Sequence, residues 1–300
     1  DGKARFQVFD PAMNAAIVGR LRMRADLERA VTRGEFVVHY QPIVDLDTER
    51  LVGVEALVRW QDPERGLVPP LDFIPLAEET GLIVPIGRWV LRQACQQARL
   101  WQNRYPKIPG LYMSVNLSAR QLDAPGLIED VQRALDESGL PAQSLTVEVT
   151  ESLLMVNLES AAARLTELRA LGVRVAIDDF GTGYSSLSYL ERLPVDVLKI
   201  DRSFVSQLGS AGDDPVLVRA IAEIAQALHL GVVAEGVELP EQVAELRALQ
   251  CGLAQGFYFA RPLTETDLEA LLLAESGAGT GPLEPARAAH PHHSRTEMPR

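Results

Sequence analysis

Phe36-Val37-Val38-His39-Tyr40-Gln41-Pro42-Ile43 is followed, after the mostly polar segment 44–50, by a second apolar run, Leu51-Val52-Gly53-Val54-Glu55-Ala56-Leu57. Both stretches are rich in β-branched and aromatic residues and read as strands. A parallel pair requires a crossover of a dozen or more residues, usually a helix. Segment 44–50 is too short for one, so the first two strands are expected to be antiparallel. The second run continues as Glu55-Ala56-Leu57-Val58-Arg59-Trp60, which sets a carboxylate and a guanidinium four residues apart where the apolar strand 51–57 is expected to meet solvent. That pair is either a surface ion pair or a metal ligand beside a phosphate clamp.

Downstream, apolar stretches alternate with helical periodicity. Strands are expected at 111–115, 145–149, 173–177, 195–200, 231–234 and 252–259, and helices at 71–79, 84–104, 119–138, 158–171, 214–228, 241–249 and 265–273. Eight strands with helices between most of them predict a TIM-type (β/α)8 barrel of the α/β class whose first strand runs antiparallel to the rest. A doubly wound open sheet would not explain why so many strands end on Asn, Asp, Glu or Lys. Residues 1–19 read as a connector from an upstream domain, with a charged helix from Arg20 to Arg33, residues 20–273 as the barrel, and 274–300 as a disordered tail rich in Gly, Pro, Ala and His. The tail histidines His290, His292 and His293 read as solvated.

With 300 residues and 47% hydrophobic content, the chain can bury one large core. A formal net charge of −12 argues against nonspecific binding to duplex nucleic acid or anionic lipid, because no basic stripe is present to release counterions. A small anionic ligand would need metal ions. Cys95 sits on the apolar helical face Leu91, Cys95, Ala98 and Cys251 lies far from it, so neither a disulfide framework nor a zinc site is indicated. No apolar run approaches the roughly 18 residues of a membrane span. The expectation is a cytoplasmic domain, cut from a longer polypeptide since it opens on Asp1-Gly2-Lys3, whose upstream part could be membrane-anchored.

In a barrel the strand C-termini converge on one face, so residues distant in sequence can surround one ligand. Glu55, Asn116, Glu148, Asp178, Asp179 and Glu235 would then offer hard oxygen ligands with no Cys or His among them, a set suited to Mg2+ or Mn2+. Each acid alone would pass as a solvated loop residue. Lys199, in Val197-Leu198-Lys199-Ile200-Asp201, is flanked by apolar residues, and an unpaired ammonium there is costly unless it faces carboxylates or a phosphate. The glycine-containing run from Asp178 to Ser186 allows close approach to a ligand, or is simply a tight strand-to-helix turn.

Together these motifs resemble an EAL-type cyclic di-GMP phosphodiesterase domain. They are Gln41-Pro42-Ile43, Glu55-Ala56-Leu57-Val58-Arg59, Asn116 in Ser-Val-Asn-Leu-Ser, Glu148-Val149-Thr150-Glu151, the acidic run from Asp178, Lys199-Ile200-Asp201, Glu235-Gly236-Val237-Glu238 and Gln255-Gly256-Phe257. The resemblance implies hydrolysis of one phosphodiester to linear pGpG with two divalent cations, Mg2+ or Mn2+. It implies Glu55, Asn116, Glu148 and Asp178 on the first metal, Asp179 on the second, and Glu235 acting directly or through water. Lys199 would hold or help deprotonate the attacking water, with Arg59 and the backbone around Leu57 on phosphate. Gln41, Asp201 and Gln255 would contact substrate or water, and Glu151 and Glu238 would anchor the loop after Asp179. Phe257 stands where members of the family often have Tyr. A homodimer, and a regulatory or diguanylate cyclase domain upstream, are further implications. The competing classes are a catalytically silent cyclic di-GMP receptor and an interaction module on the same scaffold. Conversion of bound cyclic di-GMP to pGpG on adding Mg2+ separates them.

Overall fold

The computed structural model describes residues 11–108, 110–183, 187–209 and 215–277. Residues 1–10 of the expected connector and 278–300 of the expected tail, with its three histidines, lie outside them. In chain order the elements are α1 (Pro11–Arg33), β1 (Phe36–Asp45), β2 (Leu51–Asp62), β3 (Gly66–Val68), α2 (Pro70–Thr80), α3 (Ile83–Arg104), β4 (Tyr112–Asn116), α4 (Ala119–Leu122), α5 (Leu127–Ser138) and β5 (Leu145–Thr150). Then follow α6 (Glu151–Val156), α7 (Leu158–Ala170), β6 (Arg174–Phe180), α8 (Leu187–Leu190), β7 (Val197–Ile200), α9 (Arg202–Val205), α10 (Val216–Ala227), β8 (Gly231–Ala234), α11 (Pro240–Ala248), β9 (Leu253–Ala254) and α12 (Glu265–Gly277).

Going round the sheet the strands run β1-β9-β8-β7-β6-β5-β4-β2, and pairing of β1 with β2 closes an eight-stranded barrel, with β3 added beside β2. Strand β1 is antiparallel to both neighbours, while every pair from β2–β4 round to β8–β9 is parallel. The link between the two strands, 46–50 in the structure, is too short for a crossover and so forces the reversed first strand.

Several boundaries differ from expectation for local reasons. Strand β2 does not leave the sheet near Leu57, because β1 begins at Phe36 opposite Trp60 and β3 pairs back on Trp60, Gln61 and Asp62. The single helix expected over 119–138 is two, broken at Asp123-Ala124-Pro125-Gly126, where a proline disfavours helical geometry in the residue before it and Gly126 adopts φ 90°. The strand expected over 252–259 shrinks to β9, after which the chain turns. Gly256 lies so close to the backbone of Val237 that an added Cβ would fall 2.1 Å from its carbonyl oxygen. Helix α1 begins nine residues before Arg20 (20 − 11), inside the expected connector, and α12 runs on to Gly277. Glu275, expected in the tail, accepts the Leu51 N–H at 3.0 Å. Cys95 and Cys251 are buried free thiols, and no helix among the described residues is long and apolar enough to cross a membrane.

Two apolar cores follow from the alternation of strand side chains. The outer one lies between strands and helices around Trp60, Phe73 and Trp101, while the inner one, Ile43, Tyr112, Ala176, Val197 and Val233, plugs the barrel axis. Tyr112 pairs with Gly53 on the neighbouring strand and lays its ring over it, with the Arg174 guanidinium 5.4 Å from the ring centroid. A Cβ at Gly53 would fall 2.5 Å from Tyr112 Cζ, so the plug needs glycine there. Gly53→Val should cost roughly 1–3 kcal/mol of stability through overpacking, and Tyr112→Leu in the same chain should recover part of it. Thermal unfolding checks this, and a Gly53→Val variant as stable as the wild type would show that the ring is not confined there.

Candidate active site

The mouth is organised by one buried cation. Alternation along β7 turns Leu198 and Ile200 outward and Lys199 into the barrel, where it is 1% exposed. Its ammonium lies 2.6 Å from Glu148 Oε2, 2.6 Å from Glu235 Oε1, 3.3 Å from Asp178 Oδ1 and 3.5 Å from Glu55 Oε2. Lys199 is therefore not a surface lysine with its head in water. The four acids come from β2, β5, β6 and the end of β8, so only a closed barrel brings them together.

Glu55 sits in the middle of β2, 4% exposed, rather than at a strand end meeting solvent. Its carboxylate accepts hydrogen bonds from Asn116 Nδ2 at 2.6 Å, Gln255 Nε2 at 2.7 Å and Lys199 Nζ. Gln255 Nε2 also donates to Glu235 Oε1 at 3.0 Å. The amide's other atom, Oε1, is buried with no hydrogen-bond partner.

Consecutive residues of a regular strand point to opposite faces, yet Asp178 and Asp179 both reach the mouth. The register of β6 against β7 shifts between Ile177 and Phe180, and Asp179 adopts φ 54°. That bulge re-aims the second carboxylate. Oxygens of Asp178, Asp179 and Glu235 lie within 4.8 Å of one another. Glu151, 2% exposed at the start of α6, accepts the Gly181 N–H at 2.8 Å and so ties down the chain just past Asp179. Gly183 lies against the same carboxylate, where a Cβ would meet Glu151 Oε1 at 2.3 Å. Residues 184–186 of the acidic run lie outside the described residues.

The other expected residues line the rim. Half-buried Gln41 points its amide to Ala260 O at 3.5 Å, and half-buried Arg59 donates to Val58 O at 2.8 Å, with Leu57 between it and Glu55. Asp201 caps α9, accepting the Ser203 N–H at 3.0 Å, and hydrogen-bonds with Asp179. Glu238 is exposed, and its backbone N–H donates to Gln242 Oε1 at 2.8 Å. A cavity of about 260 Å³ opens beside Glu235, lined among others by Gln41, Gln255, Glu238, Phe257 and Arg202. Arg202 drew no attention in the sequence, because an arginine after a strand reads as ordinary surface.

A family profile for the EAL domain matches residues 24–262. The chain belongs to the EAL domain family. The bifunctional diguanylate cyclase/cyclic di-GMP phosphodiesterase MucR of Pseudomonas aeruginosa is 44% identical over 271 residues, 89% of this chain and 39% of MucR. The cyclic di-GMP phosphodiesterase PdeR of Escherichia coli is 43% identical over 268 residues, 89% of this chain and 40% of PdeR. A solved MucR phosphodiesterase in complex with c-di-GMP matches with a TM-score of 0.78 at 45% identity, over 82% of this chain and 99% of that one. The chain therefore spans about two-fifths of the length of these two curated relatives.

In this EAL domain one ammonium cannot balance four carboxylates, and the imbalance appears in their proton affinities. Lys199 is held charged: burial works against the ammonium, but Glu148, Glu235, Glu55 and Asp178 outweigh it. Burial raises Glu55 too, yet Lys199 and the hydrogen bonds from Gln255 and Asn116 bring it below its ordinary value. Glu148 is pushed well up by burial, against Lys199 and helped by Glu55 and Asp178. Glu235 rises to about 8, by burial and then by Asp178 and Glu55, and Asp179 to about 6, by burial, Asp178 and Asp201. Surplus negative charge, an all-oxygen donor set and the unpartnered Gln255 Oε1 together fit hard divalent cations.

The sign of the pH dependence follows. In the unfolded chain Asp179 and Glu235 would titrate near ~3.9 and ~4.3, below their folded values of about 6 and about 8. The unfolded state therefore releases these protons first, and rising pH costs stability across that interval until both are ionised. We expect the metal-free domain to lose thermal stability from pH 5 to 8, and Mn2+ to restore it by an increment that grows as protons cease to compete. Differential scanning calorimetry checks this, and an increment equal at both ends of the range would contradict it.

Proposed function

We propose that this EAL domain hydrolyses one phosphodiester of cyclic di-GMP to linear pGpG, with two Mg2+ or Mn2+ ions. The observation that carries the reading is the buried Lys199 with its four carboxylates beside the Asp178–Asp179 bulge. The relatives named as cyclic di-GMP phosphodiesterases support the choice of substrate. Glu55, Asn116, Glu148 and Asp178 would hold one ion and Asp179 the other, with Glu235 shared or acting through water. Bound there, the ions would supply Lewis-acid activation of water and neutralise charge on the phosphate.

The chain's own groups do the rest. Lys199 already carries its proton, so it orients the attacking water by donating a hydrogen bond rather than by taking a proton from it. Glu235, 2.6 Å from the Lys199 ammonium, is placed to accept the proton from the same water. As the water oxygen bonds to phosphorus the P–O3′ bond breaks, leaving a 5′-phosphate on one nucleoside and a 3′-hydroxyl on the other. Arg59 and the backbone at Leu57 hold phosphate oxygens, and Gln41, Asp201 and Gln255 contact substrate or water. Glu151 keeps Asp179 in place through Gly181, and Glu238 would anchor the same loop. The same reading has the domain acting in the cytoplasm as a homodimer, under a regulatory or diguanylate cyclase domain.

Steady-state kinetics with chromatographic detection of pGpG tests these assignments. Glu55→Gln keeps the side-chain shape and should lower kcat roughly 100-fold or more. Arg59→Ala removes a charge-assisted contact and should raise KM about tenfold while leaving Mn2+ affinity in place. Wild-type turnover by Glu55→Gln would sink the reading. Lost Mn2+ binding with unchanged KM would put Arg59 in the wrong role.

A further inference from the structure

Arg202 stands on the side of the mouth opposite Arg59. Around the barrel, β2 and β7 are separated by β1, β9 and β8 one way and by β4, β5 and β6 the other, so they face each other across the axis. Arg59 lies on β2 and Arg202 directly follows β7, so the carboxylate cluster lies between two guanidiniums.

The position of Arg202 is built rather than incidental. Gly236 adopts φ 70°, and a Cβ there would fall 2.4 Å from Arg202 Cβ, so the main chain next to Glu235 is packed against this arginine. Its side chain lines the 260 Å³ cavity with Glu235, Glu238 and Phe257. Although two carboxylates line the same cavity, the Arg202 guanidinium forms no ion pair among the described residues. Elsewhere in the mouth, Lys199 is fully engaged by acids. Arg202 is thus a cation beside the cluster with its charge still available.

The cavity is smaller than the roughly 300–1,000 Å³ of a whole small-molecule site, so it suits part of a ligand. Its far wall is Phe257, 41% exposed, with the Arg261 guanidinium 4.2 Å from the ring centroid on top of it. A part-exposed aromatic ring, covered on one face by Arg261, beside the unpaired Arg202 guanidinium fits a nucleotide, by apolar contact with its base and pairing with its phosphate.

We propose that Arg202 is a substrate-positioning residue that holds the phosphate of the nucleotide half not being cut, and so makes the site select a cyclic dinucleotide over a lone phosphodiester. The inference rests on the phosphodiesterase reading above. A ligand with two anionic phosphates sets the one being cut at the carboxylate cluster and Arg59 and the other against Arg202, while a single phosphodiester leaves Arg202 unengaged.

The test compares wild type, Arg202→Ala and Arg202→Lys on cyclic di-GMP and on bis(p-nitrophenyl) phosphate, each with Mn2+. Arg202 is exposed, so the variants should fold, and thermal unfolding verifies it. Arg202→Ala should raise KM for cyclic di-GMP about tenfold, with the loss carried by KM rather than kcat. The loss in kcat/KM should be at least about fivefold larger for the dinucleotide than for the small ester, and Arg202→Lys should recover part of it as a point charge. Equal losses on both substrates would place Arg202 at the reacting phosphate and overturn the proposal, as would an unchanged KM. If wild type cleaves the small ester but not cyclic di-GMP, the functional reading falls and this inference with it. If wild type turns over cyclic di-GMP and the variant matches it, this inference alone falls.

Discussion

A buried ammonium ringed by carboxylates is the constraint on which the rest of this structure depends. Placing Lys199 inside an apolar barrel is tolerable only because acids from four different strand regions meet it within 3.5 Å. Those acids in turn exceed what one positive charge can neutralise. Burial first, and the neighbouring acids after it, raise the proton affinity of Glu235 and Asp179, and the surplus of carboxylates leaves the site seeking divalent cations. Below it the Tyr112 plug closes the axis, so the mouth is a floored cup whose chemistry is confined to the strand C-termini.

Much of the architecture could be read from chain lengths and alternation. The link 44–50 is too short for a crossover, which reversed the first strand, and the strand-helix alternation gave the barrel. What escaped was set by contacts remote in sequence. The end of β2 depends on Trp60 finding Phe36 and Val68, the break at Pro125 lies inside an otherwise helical pattern, and the turn after Ala254 brings Gly256 against the backbone of Val237. Likewise, the Glu275 carboxylate belongs to the fold because of a single backbone amide on β2.

At the site, residue identities were legible and their environments were not. Glu55 announced itself by charge in an apolar run, but its burial and its three hydrogen-bonding neighbours require the closed barrel. Asp178-Asp179 was conspicuous as a pair, while the bulge and positive φ that turn both inward are backbone properties that no side-chain pattern reveals. Arg202 illustrates the reverse case. Nothing in Asp201-Arg202-Ser203 signals a ligand, and only the packing of Gly236 against it and the cavity beside it bring it to notice.

The most direct measurement of the central claim is chromatography of cyclic di-GMP after incubation with the purified chain, with Mn2+ in one sample and excess chelator in another. The account predicts conversion to pGpG as the single linear dinucleotide product with Mn2+, and none with chelator. Cyclic di-GMP that binds in the presence of Mn2+ but is recovered intact would contradict it, and would make the carboxylate cup a binding site without chemistry.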